Sequence, residues 1–305
     1  MAKIILAGGS GNLGQLLADL FLRNGDKVSI LTRSARQSSV LGLDYIQWDG
    51  ATPGNWDMVL EGADVLINLS GESINTRFTP ENRKRLEDSR FLPTAALGEA
   101  IEHSQDPPKL WINISGISIF GGVQGIQDED SQDYGRDFLA ELAKEWERIF
   151  LASNTPNTGK VILRLSPVLS RSSGMFQELY PLAKWGLGGK VGTGQQYISW
   201  IHEQDFTRIV AWISSGSAKN TLYHACSPFP VTNAEFMKSL RKSAGTAIGL
   251  PLPSPLAKIG AFIKGVDASL LLQTTPVTTK TLLEEGFEFR YPEIHQAFEQ
   301  LINSK

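Results

Sequence analysis

Three glycines at a fixed spacing are the first residues of the chain able to do chemistry. Gly8, Gly11 and Gly14 stand in Gly8-Gly9-Ser10-Gly11-Asn12-Leu13-Gly14, directly after the apolar run Ile4-Ile5-Leu6-Ala7. Gly8 suits a tight turn, Gly11 lets backbone approach a pyrophosphate, and Gly14 lets a helix pack close on a sheet. A helix starting inside the turn aims its free amides, those of Asn12 and Leu13 among them, and its positive dipole end at phosphate. The chemistry on offer is dinucleotide binding; the plain alternative is a glycine turn that holds no ligand. Farther on, Arg33 follows the second apolar run, where a site preferring NAD carries Asp or Glu for the ribose 2′-hydroxyl. A guanidinium there pairs instead with a 2′-phosphate, so NADP(H) is the expected cofactor, against the reading of Arg33 as a solvated arginine. His202 titrates near neutrality, and Asp205 would orient its ring if that stretch is helical. His202, and Tyr197 in the same polar segment, are therefore candidate proton-transfer groups. The alternative makes His202 a loop histidine and Asp205 a helix-capping carboxylate.

Elements must position these groups. Leu13, Leu16, Leu17, Leu20 and Phe21 recur at helical spacing, Gly25 stops that helix, and residues 28–32 read as the second strand. Further strands are expected at 45–49, 64–69, 111–115 and 161–164, with helices over 80–103 and 137–151 between them. Beyond 170 the alternation loosens. A helix at 175–185 leads into the glycine run 186–194, which reads as a binding loop or mobile lid. Then come a strand at 223–228, a helix capped by Asn233, and a last helix carrying Ile294, Phe298 and Leu301. The pattern predicts an α/β fold, a Rossmann-like doubly wound parallel sheet with a smaller C-terminal α/β substrate lobe. The cofactor domain is placed at 1–160, with later segments returning to it, and the substrate lobe mostly at 161–305.

Composition narrows the partners. A chain of 305 residues with 41% apolar content can bury one large core with a smaller lobe attached. A formal charge of −3 and a pI near 5.9 offer no footprint for nucleic acid or an acidic membrane, so neither is expected as a partner. The single Cys226 excludes an internal disulfide, and the four histidines show no metal-ligand spacing. His202-Glu203, in particular, lacks the second histidine of a zinc protease. The first apolar run is too short for a signal peptide, and nothing approaches the roughly 18 apolar residues of a membrane span. A soluble cytoplasmic protein is expected, with an organelle as the alternative.

The Gly-x-x-Gly-x-x-Gly spacing resembles the extended short-chain dehydrogenase/reductases, the NAD-dependent epimerase/dehydratase family. Asn68-Leu69-Ser70-Gly71-Glu72, Gly192-Thr193-Gly194-Gln195, Ser199-Trp200-Ile201-His202 and Glu285-Gly286-Phe287 are similar to an atypical subgroup with its own C-terminal module and no assigned substrate. The resemblance implies that Ser70 and Gly71 lie beside the nicotinamide ribose and that Asp49 contacts the adenine, although Asp49 also suits a turn before Gly50. It implies that Ser115, with Ser118 in reserve, hydrogen-bonds the reacting oxygen, where the plain reading is a turn hydroxyl. It further implies a small-molecule substrate, and a homodimer built on the helix at 80–103. Family enzymes carry Tyr-x-x-x-Lys, the phenol exchanging a proton while the lysine lowers its pKa and holds the ribose. Aligned on Glu147, those positions hold Leu139 and Ala143; Lys144 is one position off and Tyr134 precedes the helix. The one literal match, Tyr180-Pro181-Leu182-Ala183-Lys184, falls after the sixth strand and is not expected to be a catalytic pair. Two functions are in view: an NADP(H)-dependent oxidoreductase or epimerase with a rearranged site, and an NADP(H)-binding sensor or regulatory protein without turnover.

Overall fold

The computed structural model describes residues 1–303. Strand β1 (Lys3–Ala7) is buried on both sides, with Ile4 and Leu6 in one apolar cluster and Ile5 and Ala7 in another. That two-sided burial is why it reads as a continuous apolar run rather than an alternating one. Helix α1 (Asn12–Arg23) then buries Leu17, Ala18 and Phe21, and β2 (Lys27–Thr32) and β3 (Leu43–Gln47) extend the sheet outward. On the other side of β1 lie β4 (Val65–Asn68), β5 (Leu110–Gly116), β6 (Gly159–Leu165) and, later in the chain, the edge strand Leu222–Ala225. All seven strands are parallel, and the order reverses between β1 and β4. Helices α2 (Pro80–His103) and α3 (Phe138–Ala152) pack together over one face.

The later segments that join the sheet begin with β6, which runs across residue 160. After β7 (Val168–Leu169), α4 (Gly174–Lys184), β8 (Tyr197–Ile198) and β9 (Ile201–His202), helix α5 (Glu203–Ser214) returns to pack beside α1. The edge strand Leu222–Ala225, β10, follows, paired to β6. The lobe proper combines α4 with β11 (Val231–Thr232), α6 (Asn233–Ser243), α7 (Ser254–Lys264), α8 (Ser269–Leu272) and α10 (Ile294–Asn303), whereas α9 (Thr281–Glu284) packs on β10 with Leu282 in the core of the sheet. The core of the lobe joins Phe176, Trp200, Phe236, Leu240 and Phe298.

Several local expectations are corrected. Thr232, not Asn233, caps α6, in a reciprocal capping box with Glu235; the Asn233 side chain accepts from the Val191 amide at 2.8 Å. The glycine run 186–194 is not an open lid. It is zipped to 250–252 through Gly189 N to Leu250 O (3.1 Å) and Gly192 N to Leu252 O (2.8 Å). A Cβ on Gly189 would lie 2.2 Å from the Leu250 carbonyl oxygen, so glycine is there to permit close packing. The loop at 128–133, acidic in composition, contributes a buried structural carboxylate. Glu129 accepts from the amides of His224 (2.9 Å) and Lys280 (2.8 Å) and from the Thr279 hydroxyl (2.9 Å). No helix among the described residues is long and apolar enough to cross a membrane.

Candidate cofactor and active site

At Gly8 the chain leaves β1 with φ +71°, a region that side chains rarely adopt. An added Cβ would meet Ser70 Cα at 2.8 Å, so the turn is pressed against the end of β4. The β1/β4 gap is the switch point of the sheet, the crevice where ligands bind in open parallel α/β folds. A Cβ on Gly11 would project into open space, whereas one on Gly14 would lie 2.2 Å from the Gly9 carbonyl oxygen. Gly14 thus lets α1 sit on the turn itself rather than on the sheet. Asn12 and Leu13 open α1, whose cap, Gly11, makes no side-chain hydrogen bond and whose first turn carries no acid. The Ser70 hydroxyl is buried without a partner. Open room over Gly11, helix-start amides and an orphaned hydroxyl are what a dinucleotide phosphate and ribose require.

The neighbouring residues divide. Arg33 lies one residue beyond β2 with its side chain 72% exposed, 3.9 Å from Glu72 Oε1. Glu72 is held more firmly by Arg85 Nε at 2.9 Å, so Arg33 is loosely tethered and able to turn toward a phosphate. Asp49 closes a turn. Its carboxylate accepts from the Thr52 hydroxyl (2.5 Å) and from the Thr52 and Ala51 amides (2.9 Å each). These bonds, those from Thr52 foremost, hold its pKa at about 2. Gly71 is small because Arg90 lies against it: a Cβ would stand 3.2 Å from the guanidinium carbon. Arg90 donates to the carbonyls of Glu72 (2.9 Å) and Leu86 (3.0 Å), and burial pushes its pKa down to about 10 against the pull of Glu72. Among the many charges of α2, nothing in the sequence marked it.

Ser115 is committed elsewhere. Register aligns Ser115, Arg164 and His224 across β5, β6 and β10, so the three side chains share one face. The Ser115 hydroxyl donates to Glu147 Oε1 at 2.6 Å, and Arg164 grips the same carboxylate through Nε (2.9 Å) and Nη2 (2.8 Å). Burial opposes the Arg164 charge, but the bonds to Glu147 win and raise its pKa. His224 Nδ1 donates to the Thr278 carbonyl at 3.0 Å, and burial pushes its pKa down. Ser115 therefore completes a buried ion pair. The Ser118 hydroxyl, by contrast, makes no hydrogen bond within the described residues, and it lies 3.0 Å from where a Cβ on Gly116 would stand, at the strand end.

Of the two expected proton-transfer groups, His202 is drawn into internal bonds. His202 is fully buried; its Nδ1 accepts from the Gln204 amide (3.1 Å), so Nε2 carries the proton toward Gln300 (2.8 Å). Burial pushes its pKa down, and its ring lies 4.2 Å from that of Tyr291. It is a helix cap and a clasp for the C-terminal segment. Asp205 is its counterpart, accepting from the amides of Arg290 and Tyr291 at 2.8 Å each. Tyr197 stays partly exposed at 38%, its backbone tied to Thr274 and Thr275. Leu139 is buried with Leu86 and Leu142, and Ala143 with Phe120, Cys226 and Val277. Lys144 pairs with Glu141 at 2.5 Å, while Tyr134 packs 5.5 Å from Phe120 near Arg164. Tyr180 stacks on Phe176 within the C-terminal lobe, and Lys184 lies over the Tyr180 ring. No group of three or more metal-ligating side chains occurs among the described residues.

Comparison with known proteins agrees with this architecture. The bovine epimerase family protein SDR39U1 is 30% identical over 98% of this chain and 99% of its own length. The Bacillus subtilis epimerase family protein YfhF is 29% identical, over 98% of each chain. The crystal structure of human SDR39U1 isoform 2 with NADPH superposes with a TM-score of 0.86 at 26% identity, covering 99% of both chains. The model of the NAD dependent epimerase/dehydratase family matches residues 4–224, and the chain belongs to that family.

Proposed function

We propose that this protein is an NADP(H)-binding, oxidoreductase-like member of the family whose reaction does not use a Tyr–Lys pair. One observation carries the reading: the cradle formed by Gly8, Gly11 and the unpartnered Ser70 hydroxyl, with Arg33 exposed at the end of β2. The resemblance to a human relative crystallised with NADPH supports the same cofactor. Gly11, Asn12 and Leu13 hold the pyrophosphate, Ser70 and Gly71 lie by the ribose nearer the nicotinamide, and Arg33 receives the 2′-phosphate. When bound, the nicotinamide supplies hydride chemistry. Ser118 is the hydroxyl available to hold the reacting oxygen of a small-molecule acceptor.

A second reading, a sensor that binds NADP(H) without turnover, is favoured by the positions that carry proton transfer in relatives with the Tyr–Lys pair. Leu139 and Ala143 are sealed in apolar clusters, and Ser115 and His202 hold internal bonds. Titration with NADPH followed by single-turnover mixing with a panel of carbonyl compounds separates the two. Consumption of NADPH sensitive to Ser118→Ala supports the oxidoreductase. Tight binding with no consumption supports the sensor, and failure to bind NADPH refutes both.

A further inference from the structure

The C-terminal lobe carries a face that its own fold leaves uncovered. Nearly half of the exposed large apolar side chains among the described residues lie in two short stretches, 182–187 and 248–263. Trp185 is 82% exposed, Ile248 71% and Ile263 79%. The stretches form one surface. Leu250 N bonds to Gly186 O at 2.8 Å, Leu252 N bonds to Lys190 O at 2.9 Å, and Lys264 pairs with Glu178 of α4.

Helix α7 is inverted relative to an ordinary surface helix. At about 100° per residue, buried Ala257 and Ala261 mark its inner side, which places Leu256, Ile259 and Ile263 on the opposite side, facing outward. Lys258 lies on one flank of that apolar strip, while Lys264 falls toward the inner side and pairs with Glu178. The charge pattern is equally one-sided: residues 179–202 and 236–266 contain no Asp or Glu, yet hold Lys184, Lys190, Lys238, Arg241, Lys242, Lys258 and Lys264. The formal net charge of −3 for the whole chain hides this local excess.

We propose that this face docks on the surface of an anionic lipid bilayer, with Trp185, Ile259 and Ile263 seated at the headgroup–acyl boundary and the lysines on the headgroups. An outward apolar strip with a tryptophan and flanking lysines is the pattern of interfacial amphipathic segments. A second copy of the chain meets the charge less well. A two-fold contact would set the lysines of one face against those of the other, and the acid the face carries, Glu178, is already paired with Lys264. The proposal is independent of the cofactor reading, because none of the residues it uses is among those placed at the cofactor.

Flotation of the intact protein with large vesicles of phosphatidylcholine, with and without phosphatidylglycerol, tests it. Binding is expected only where phosphatidylglycerol is present, weakening with added salt. Each of Lys190→Gln and Lys258→Gln weakens it roughly fivefold. Ile259→Glu/Ile263→Glu abolishes it while leaving the thermal midpoint and NADPH affinity unchanged. Equal binding to neutral vesicles, or none to anionic ones, overturns the proposal. So does a dimer in light scattering that Ile259→Glu/Ile263→Glu converts to monomer, since that makes the face a subunit interface. Should the double glutamate variant fail to fold, the two lysine variants still decide the matter, because both side chains are exposed.

Discussion

Exchanging Arg33 for aspartate should reverse the cofactor preference. A hydrogen bond to a charged group contributes about 1.5–3 kcal/mol when formed in full. Here the side chain is 72% exposed, so solvent and salt reduce the Arg33–phosphate contact to about 1–2 kcal/mol. Aspartate in its place also repels the 2′-phosphate, by about 1 kcal/mol at close range in water. Together the loss for NADPH is about 2–3 kcal/mol, or roughly 30- to 150-fold in affinity. NADH carries no 2′-phosphate, and a carboxylate can accept from its 2′-hydroxyl, so its affinity should hold or improve. The fold should tolerate the change. The Arg33–Glu72 contact at 3.9 Å is weak and exposed, and Arg85 keeps Glu72 in place at 2.9 Å. Calorimetric titration of both proteins with both nucleotides is the assay. Equal affinity of the unmodified protein for NADPH and NADH, or a variant that loses both alike, would refute the placement of Arg33 at the ribose.

Four further outcomes follow from the same geometry. Arg164→Met leaves Glu147 buried and unpaired and should cost about 3–5 kcal/mol by chemical denaturation, much of it recovered in Arg164→Met/Glu147→Leu. Ser115→Ala should lower stability by about 1–2 kcal/mol with NADPH affinity intact, and a specific loss of turnover without loss of stability would restore Ser115 to the reaction. His202 and His224 have folded pKa values below the unfolded value near 6.5, so the unfolded chain takes up more protons on acidification. Their contribution is complete above about pH 6.5 and falls as pH drops below it; thermal midpoints from neutral to mildly acid pH should show this, with a shallower slope in His202→Gln. Leu139→Tyr/Ala143→Lys should not create activity, since the lysine enters a cluster of Ile117, Phe120, Cys226 and Val277 and should destabilise by several kcal/mol; a stable, active variant would contradict the burial of that helix face.

The parts of the molecule legible in the sequence are those whose causes are local. The glycine turn, β1 and α1 declare themselves within 20 residues, because turn chemistry and helical periodicity act over short range. The sheet and its helices were likewise legible, apart from boundaries such as β3, which runs from Leu43 to Gln47 and ends before Asp49. The chemical roles were not, and the reason is sequence separation. Ser115 meets Glu147 32 residues away, His202 meets Gln300 98 residues away, and Glu129 meets Thr279 150 residues away. A serine at a strand end or a histidine in a polar segment looks the same in sequence whether it faces a substrate or closes an internal bond. Only the register of β5, β6 and β10, and the docking of the C-terminal segment on α5, distinguish those fates.

That distinction bears on how a hydride acceptor would obtain its proton. The side chains best suited by type, His202, His224 and Ser115, hold bonds whose loss would leave buried groups unsatisfied, so recruiting any of them would cost stability at the moment of reaction. Burial pushes the pKa of both histidines down, which keeps them neutral, and neither ring is exposed to a ligand. The Cys226 thiol is buried as well, and its pKa is pushed up. What remain at the strand ends are the Ser70 and Ser118 hydroxyls, which can orient an oxygen but are poor acids. A site so equipped favours acceptors whose reduced form is protonated by solvent after hydride transfer over those needing a positioned acid in the transition state, where such an acid contributes roughly 10²–10⁴-fold. The carbonyl panel should therefore be ordered by intrinsic electrophilicity. Turnover that tracks electrophilicity, and is insensitive to His202→Gln, is the expected result; preference for an unactivated carbonyl would show that a positioned acid exists in this crevice.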